Sequence, residues 1–207
     1  MPQPRRTQKE RREETIGRLL TATVECLATK GYSGTTTTAI CAEAGLSQGA
    51  LFRHFATRQE LLVATAEYVA HRQVATFRAR FAGRSFDDAE TMEQALVEMA
   101  RLARSRENRT WHELVVASGS DPALLTALHP ALDTFRHEIF ATAGQFFGDR
   151  LPADEVVPLM TLVLNFLDGM VFAQPVVRTR ASRDDAVRLL ATMIADRLVH
   201  LGALAPR

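Results

Sequence analysis

Apolar residues recur at three- and four-residue steps along almost the whole chain, and no stretch of several residues alternates as a strand would. That pattern predicts an all-α protein. Ile16, Leu19, Leu20, Thr23, Val24 and Leu27 form one stripe on a helix of about five turns, which Gly31 should end. Thr36 can cap a short second helix ending at Gly45, and Ser47 a third reaching about Phe55. Thr57-Arg58-Gln59-Glu60 has the form of a capping box and opens a long fourth helix. Further boxes at Ser85 and Ser182, and the Asp121-Pro122 pair, predict helices over about 86–105, 109–118, 122–147, 153–173 and 183–202. Pro130 is a candidate break, because proline disfavours helix in the residue before it.

Charge separates one end from the rest. Residues 1–60 carry nine lysines and arginines against six acids, whereas the remainder carries 16 against 18. A small basic module preceding a slightly acidic body is compatible with nucleic-acid binding at that end. Cys26 and Cys41 form no CxxC pair and read as small buried residues of a reducing cytoplasm. The start, Met1 to Arg6, leads into charge with no apolar run, which argues against a secretory signal. The segment from Val156 to Ala173 is apolar enough to consider as a membrane span. It holds Asn165 and Asp168 mid-run, with Pro158 and Gly169, and a central Asp costs roughly 3 kcal/mol in a bilayer. A helix buried against protein fits it better, and no membrane partner is expected. This helix and the last one carry more apolar surface than one small subunit can cover.

Residues 36–55 read as a helix, a glycine turn at Gly45 and a second helix. Ile40, Leu46, Leu51 and Phe55 are spaced to pack the two together. Gln48, Ala50, Phe52, Arg53 and His54 are then left to project outward, as the second helix of a helix-turn-helix must if it is to enter a major groove. Taken alone, the segment is equally a plain helical hairpin.

The wider segment from about residue 11 to 62 resembles the TetR family of transcription regulators. The carrying residues are Leu19-Leu20-Thr21-Ala22, Gly31-Tyr32, Thr36-Thr37, Ile40, Ala42, Ala44-Gly45-Leu46-Ser47, Gly49, Leu51-Phe52, His54-Phe55 and Leu61. The resemblance implies a subunit of about nine helices. Residues 1–56 would form a three-helix DNA-binding domain with a basic arm (Arg5, Arg6, Lys9), and 57–207 an effector-binding and dimerisation domain. It implies DNA contacts by Thr36, Thr37, Ser47, Gln48, Ala50, Phe52, Arg53, His54 and Arg58. A Gln amide can pair with adenine and an Ala methyl can meet a thymine methyl; Arg53 suits a guanine or a phosphate, and Arg58 a phosphate. Phe52 stands where the family usually has tyrosine, so one hydroxyl–phosphate bond is lost.

The body shows no pattern for chemistry. His112-Glu113 and His137-Glu138 are adjacent pairs, and His71, His129 and His200 stand singly, so no helical metal-ligand spacing arises. Ser118-Gly119-Ser120 lacks the frame of a nucleophile elbow. No metal, no cofactor and no enzyme activity are expected. An effector site is more plausible. The family resemblance draws Phe77, Phe81, Met99, Trp111, Phe135, Phe166 and Met170 around it, with Asp168 to orient a ligand or pair with Arg197. A dimer seam is expected along Leu189, Leu190, Met193, Ile194 and Arg197. The function these features predict is a cytoplasmic homodimeric repressor, released from a palindromic operator by a small apolar or aromatic molecule. A family member that activates or needs no ligand remains open, as does a helical binding protein or enzyme that has lost DNA binding.

Overall fold

The computed structural model describes residues 7–84, 88–147, 151–173 and 180–204. Among these residues the chain forms nine helices and no strand. They are Gln8–Gly34 (α1), Thr37–Ala44 (α2), Gln48–Phe52 (α3), Arg58–Arg80 (α4), Ala89–Ala103 (α5), Arg106–Ser118 (α6), Pro122–Phe147 (α7), Ala153–Ala173 (α8) and Arg180–His200 (α9). Arg5 and Arg6 of the basic arm, and Ser85 of its capping sequence, lie outside the described residues, as does the side chain of Ser182. α9 is already helical two residues ahead of Ser182.

The helix starts are set by side-chain caps. The Thr36 hydroxyl accepts from the Ala39 amide at 3.1 Å, Ser47 from Ala50 at 3.1 Å, Thr57 from Glu60 at 3.0 Å and the Asp121 carboxylate from Leu124 at 3.0 Å. α1 has a full capping box that the sequence reading did not anticipate. The Glu10 amide donates to the Thr7 hydroxyl, and the Thr7 amide donates to the Glu10 carboxylate. α5 starts later than expected, at a cap made by Asp88. Bonds donated by Thr91 hold the Asp88 carboxyl below its ordinary pKa. α7 passes through Pro130 without a break, although proline has no N–H to give to the carbonyl four residues back. Leu128 and Ala131 on either side of it are buried in the first unit.

The chain forms two compact units. The first contains residues 1–72 and 106–132, so it holds α1–α3, the start of α4, all of α6 and the start of α7. The second contains 73–105 and 133–207. The grouping follows packing and not chain order. α6 is fastened to α1 by an Arg106–Glu25 ion pair, by the Thr110 hydroxyl donating to the Val24 carbonyl, and by the Tyr32 amide donating to Glu113.

The first unit has two apolar clusters. One joins Leu19, Ala22 and Cys26 of α1 to Ile40, Cys41 and Ala44 of α2, to Leu51 and Phe55 around α3, and to Leu61 of α4. Leu19 and Leu51 are fully buried there, so truncating either to alanine should cost about 3 kcal/mol. The other gathers Leu27, Leu62, Ala66, Leu114, Leu124, Leu128 and Ala131, with Tyr32 and Trp111 packed against it. The second unit has its own core, drawn from α5, α8, α9 and the portions of α4 and α7 that it contains. Within it Asp154–Ala173 is long and apolar enough to cross a membrane. Few of those residues are buried within the chain, and Val157, Leu162 and Phe172 are exposed.

Candidate nucleic-acid interface

Three helices and two glycines build the interface. α2 ends at Gly45, whose φ of 61° lies in the left-handed region, so the chain turns sharply into the Ser47 cap of α3. Arg18 of α1 locks this turn from behind. Its guanidinium donates to the Ala44 carbonyl at 2.6 Å and to the Gly45 carbonyl at 3.2 Å, which satisfies the C-terminal end of α2 with a cation. The sequence reading missed Arg18, because it acts across 26 residues and belongs to no local motif.

The inward side of the turn is as the spacing predicted. Ile40, Leu51 and Phe55 are buried in the cluster, and Leu46 packs against it. The outward side also matches: Gln48, Phe52 and Arg53 are exposed, and Ala50 and His54 are half-buried. Thr36 and Ser47 hold their own helix starts, while Thr37 is the first residue of α2 and half-buried. The Thr35 hydroxyl is turned inward onto the Gly31 carbonyl. Thr38, which the sequence reading passed over, accepts from the Gln48 amide at 2.9 Å.

Arg58 has a different setting from the one its sequence position implied. Its Nε donates to the Thr35 carbonyl and its terminal nitrogen to the Tyr32 carbonyl, both at 2.7 Å. The guanidinium also lies over the Tyr32 ring. It therefore joins the start of α4 to the end of α1 and the approach to α2. Gly31 makes that approach possible: at φ 67° it interrupts α1 and presents the Tyr32 amide to the Glu113 carboxylate at 3.1 Å. A Cβ on Gly31 would meet the same carboxylate at 3.2 Å.

A capped, glycine-turned helix pair with an exposed second helix has the geometry that a helix-turn-helix requires, and a plain helical hairpin could share it. The profile described as "Bacterial regulatory proteins, tetR family" matches residues 19–65, which covers α2, α3 and the flanking parts of α1 and α4. An uncharacterized HTH-type transcriptional regulator of Mycobacterium tuberculosis is 30% identical over 190 residues, covering 91% of this chain and 97% of the relative. The HTH-type transcriptional regulator CymR of Pseudomonas putida is 31% identical over 171 residues, 82% of this chain and 84% of that one. This chain belongs to the TetR family of bacterial transcription regulators. The fold agrees. A TetR-family regulator structure from Mesorhizobium loti superposes with a TM-score of 0.71, over 92% of this chain and 98% of that one, at 15% identity. The protein is a transcription regulator that binds DNA through its helix-turn-helix.

The body of this TetR-family chain distributes the expected effector residues unevenly. Phe81 is buried in the second unit's core, and Phe77, Met99, Phe166 and Met170 pack against that core. The Phe77 and Phe81 rings are tilted against each other at 4.9 Å. Phe135 and Asp168 are half-buried. Trp111 packs instead against the α1–α4–α6–α7 cluster of the first unit. Arg197, one of the two partners the sequence offered for Asp168 beside a ligand, pairs with Glu155 at 2.6 Å. Glu155 stands in the first turn of α8.

The expected dimer seam also divides. Leu190 (8% exposed) and Ile194 (4%) point into their own unit's core, whereas Leu189 (63%) and Met193 (60%) point outward. Residues 189 and 190 differ by about 100° around a helix, so both cannot share a face. Cys26 and Cys41 are free, buried thiols whose pKa values burial pushes up. Among the described residues no three His, Cys, Asp or Glu side chains come together as a metal would need.

Proposed function

We propose that this regulator works as a homodimeric repressor of a palindromic operator and is released by a small apolar effector. The observation that carries the DNA half is the outward face of α3, held at its start: Ser47 caps the helix and Arg18 fixes the turn before it. Gln48 and Ala50 are offered to base edges, and Arg53 and His54 to a base or phosphates. Thr36, Thr37, Ser47 and Phe52 line the approach to the backbone. Arg58 contributes positive potential nearby, while its hydrogen bonds hold the domain together.

Dimerisation is supported by large apolar side chains that are exposed among the described residues. Val157, Leu162 and Phe172 on α8, and Leu189 and Met193 on α9, are all exposed. Pairing α8 and α9 with their symmetry mates buries these side chains in a four-helix seam. Such a two-fold pair presents two copies of α3, as a palindrome requires. The repressor assignment and the cytoplasmic setting follow the family.

The effector reading rests on the second unit, where Phe77, Met99, Phe166 and Met170 are only partly buried against an apolar core and Asp168 is close along α8. That mix of apolar walls with one polar group suits a small apolar or aromatic ligand. Trp111 and Phe135 would report or shape the response.

A gel-shift titration with DNA from upstream of the native locus, run beside sedimentation of the free protein, tests this reading. The expected result is a dimer that shifts a specific fragment at low salt and loses affinity steeply as salt rises.

A further inference from the structure

Thr38 and Gln48 lie on different helices of the helix-turn-helix and meet on its exposed side. The Gln48 Nε2 donates to the Thr38 hydroxyl at 2.9 Å. Neither residue is needed as a cap, because Thr36 and Ser47 fill those roles. The Thr35 hydroxyl faces inward, to Gly31. Of the four consecutive threonines, Thr38 is the one bonded to the recognition helix.

The chemistry of that bond is selective. A glutamine amide offers two N–H donors and one acceptor oxygen. The threonine hydroxyl engages a single N–H. The remaining N–H and the oxygen are the pair that adenine demands, a donor for N7 and an acceptor for the N6 amino group. A long side chain on an exposed five-residue helix otherwise samples many rotamers, and ordering it at the moment of binding weakens its contact. A neighbour that orders it in advance removes part of that loss.

We propose that Thr38 is a positioning residue that orients the Gln48 amide to read adenine, and so sets base preference in each half-site. This rests on the reading of α3 as the base-reading helix. Thr38 acts through Gln48, so its removal should change discrimination at one base pair per half-site and not at the others. Thr38→Val removes the acceptor and keeps the shape. Thr38→Ser keeps the acceptor.

The test uses the full-length protein. Its operator is first selected from a random duplex library, and affinities are then measured for that operator and for every single-base-pair variant. A bidentate amide–adenine pair corresponds to a preference on the order of tenfold. The wild type and Thr38→Ser should show it, Thr38→Val should fall to about threefold at the same position only, and Thr38→Val in a Gln48→Ala background should change nothing further. In the DNA-free protein the Gln48 side-chain amide, followed by 15N relaxation, should be ordered in the wild type and Thr38→Ser, and mobile in Thr38→Val. The proposal is overturned if Thr38→Val keeps full discrimination. It is equally overturned if Thr38→Val weakens binding by the same factor when Gln48 is already alanine, since the hydroxyl would then act on DNA itself. In both cases base reading by Gln48 stands. If Gln48→Ala leaves every preference intact, the base-reading role of Gln48 fails, and the role of Thr38 with it.

Discussion

Arg58 lies over the Tyr32 ring, its guanidinium carbon 4.4 Å from the centroid, and donates to the carbonyls of Tyr32 and Thr35. One cation thereby ties the first turn of α4 to the segment between α1 and α2. Charge-assisted hydrogen bonds and a cation–π contact at a half-exposed site together stabilise by about 2 kcal/mol. Arg58→Ala should lower the thermal midpoint by several degrees. Arg58→Lys keeps the charge but not the planar fork, so it should recover little of that stability. Calorimetry of the two variants decides the point. A lysine variant as stable as wild type would mean that the guanidinium geometry is unimportant and that charge toward DNA is its main role.

The dimer seam is tested on the outward face of α9. Met193→Glu and Leu189→Glu put a carboxylate on side chains that are exposed in the single chain, so neither should disturb the subunit core. In sedimentation each should give a monomer with full helical content and no operator binding. A variant dimer as tight as wild type would place the seam elsewhere. Leu190→Glu is a poor probe of assembly, because Leu190 is buried at home and the substitution should unfold the second unit.

Buried thiols with raised pKa values are slow nucleophiles. Cys26 and Cys41 should resist a thiol reagent in native protein at neutral pH and react at once in denaturant. Rapid native labelling of Cys41 would mean that the α2 packing opens readily. That would contradict a rigid helix-turn-helix.

These elements differ in how far the sequence revealed them. The caps at Thr36, Ser47, Thr57 and Asp121, and the turn at Gly45, were legible because each acts within four residues. The inward set of Ile40, Leu46, Leu51 and Phe55 was legible from period alone. Arg18, Arg58 and Thr38 were not, since their partners lie 26, 23 and 10 residues away and no local spacing records them. α9 is apolar on two faces, so its sequence could name the seam residues but could not say that Leu190 faces home while Leu189 faces out. Trp111 was drawn toward an effector site by the family resemblance, which places its helix there. Its packing beside Leu27 and Leu114 depends on α6 lying along α1, a long-range contact.

The effector reading makes Trp111 an indirect reporter. It sits on α6, which Glu25, Val24 and Tyr32 fasten to α1. Ligand binding should shift the emission of this only tryptophan, and operator DNA should weaken the ligand by the factor by which the ligand weakens DNA. A 100-fold release corresponds to about 2.7 kcal/mol of coupling. Phe166→Ala should raise the concentration of effector needed for release and leave operator affinity unchanged. Equal release of wild type and Phe166→Ala would move the binding site away from α8.

The central claim is that two copies of α3 read a two-fold operator. Its most direct measurement is selection of the full-length protein on random duplex DNA, with sequencing of the retained pool. The expected pool is an inverted repeat whose half-site centres lie about one helical turn, ~34–36 Å, apart, and the Gln48→Ala pool should lose preference at one position in each half. A retained pool with no inverted repeat, or a Gln48→Ala pool indistinguishable from wild type, would contradict it.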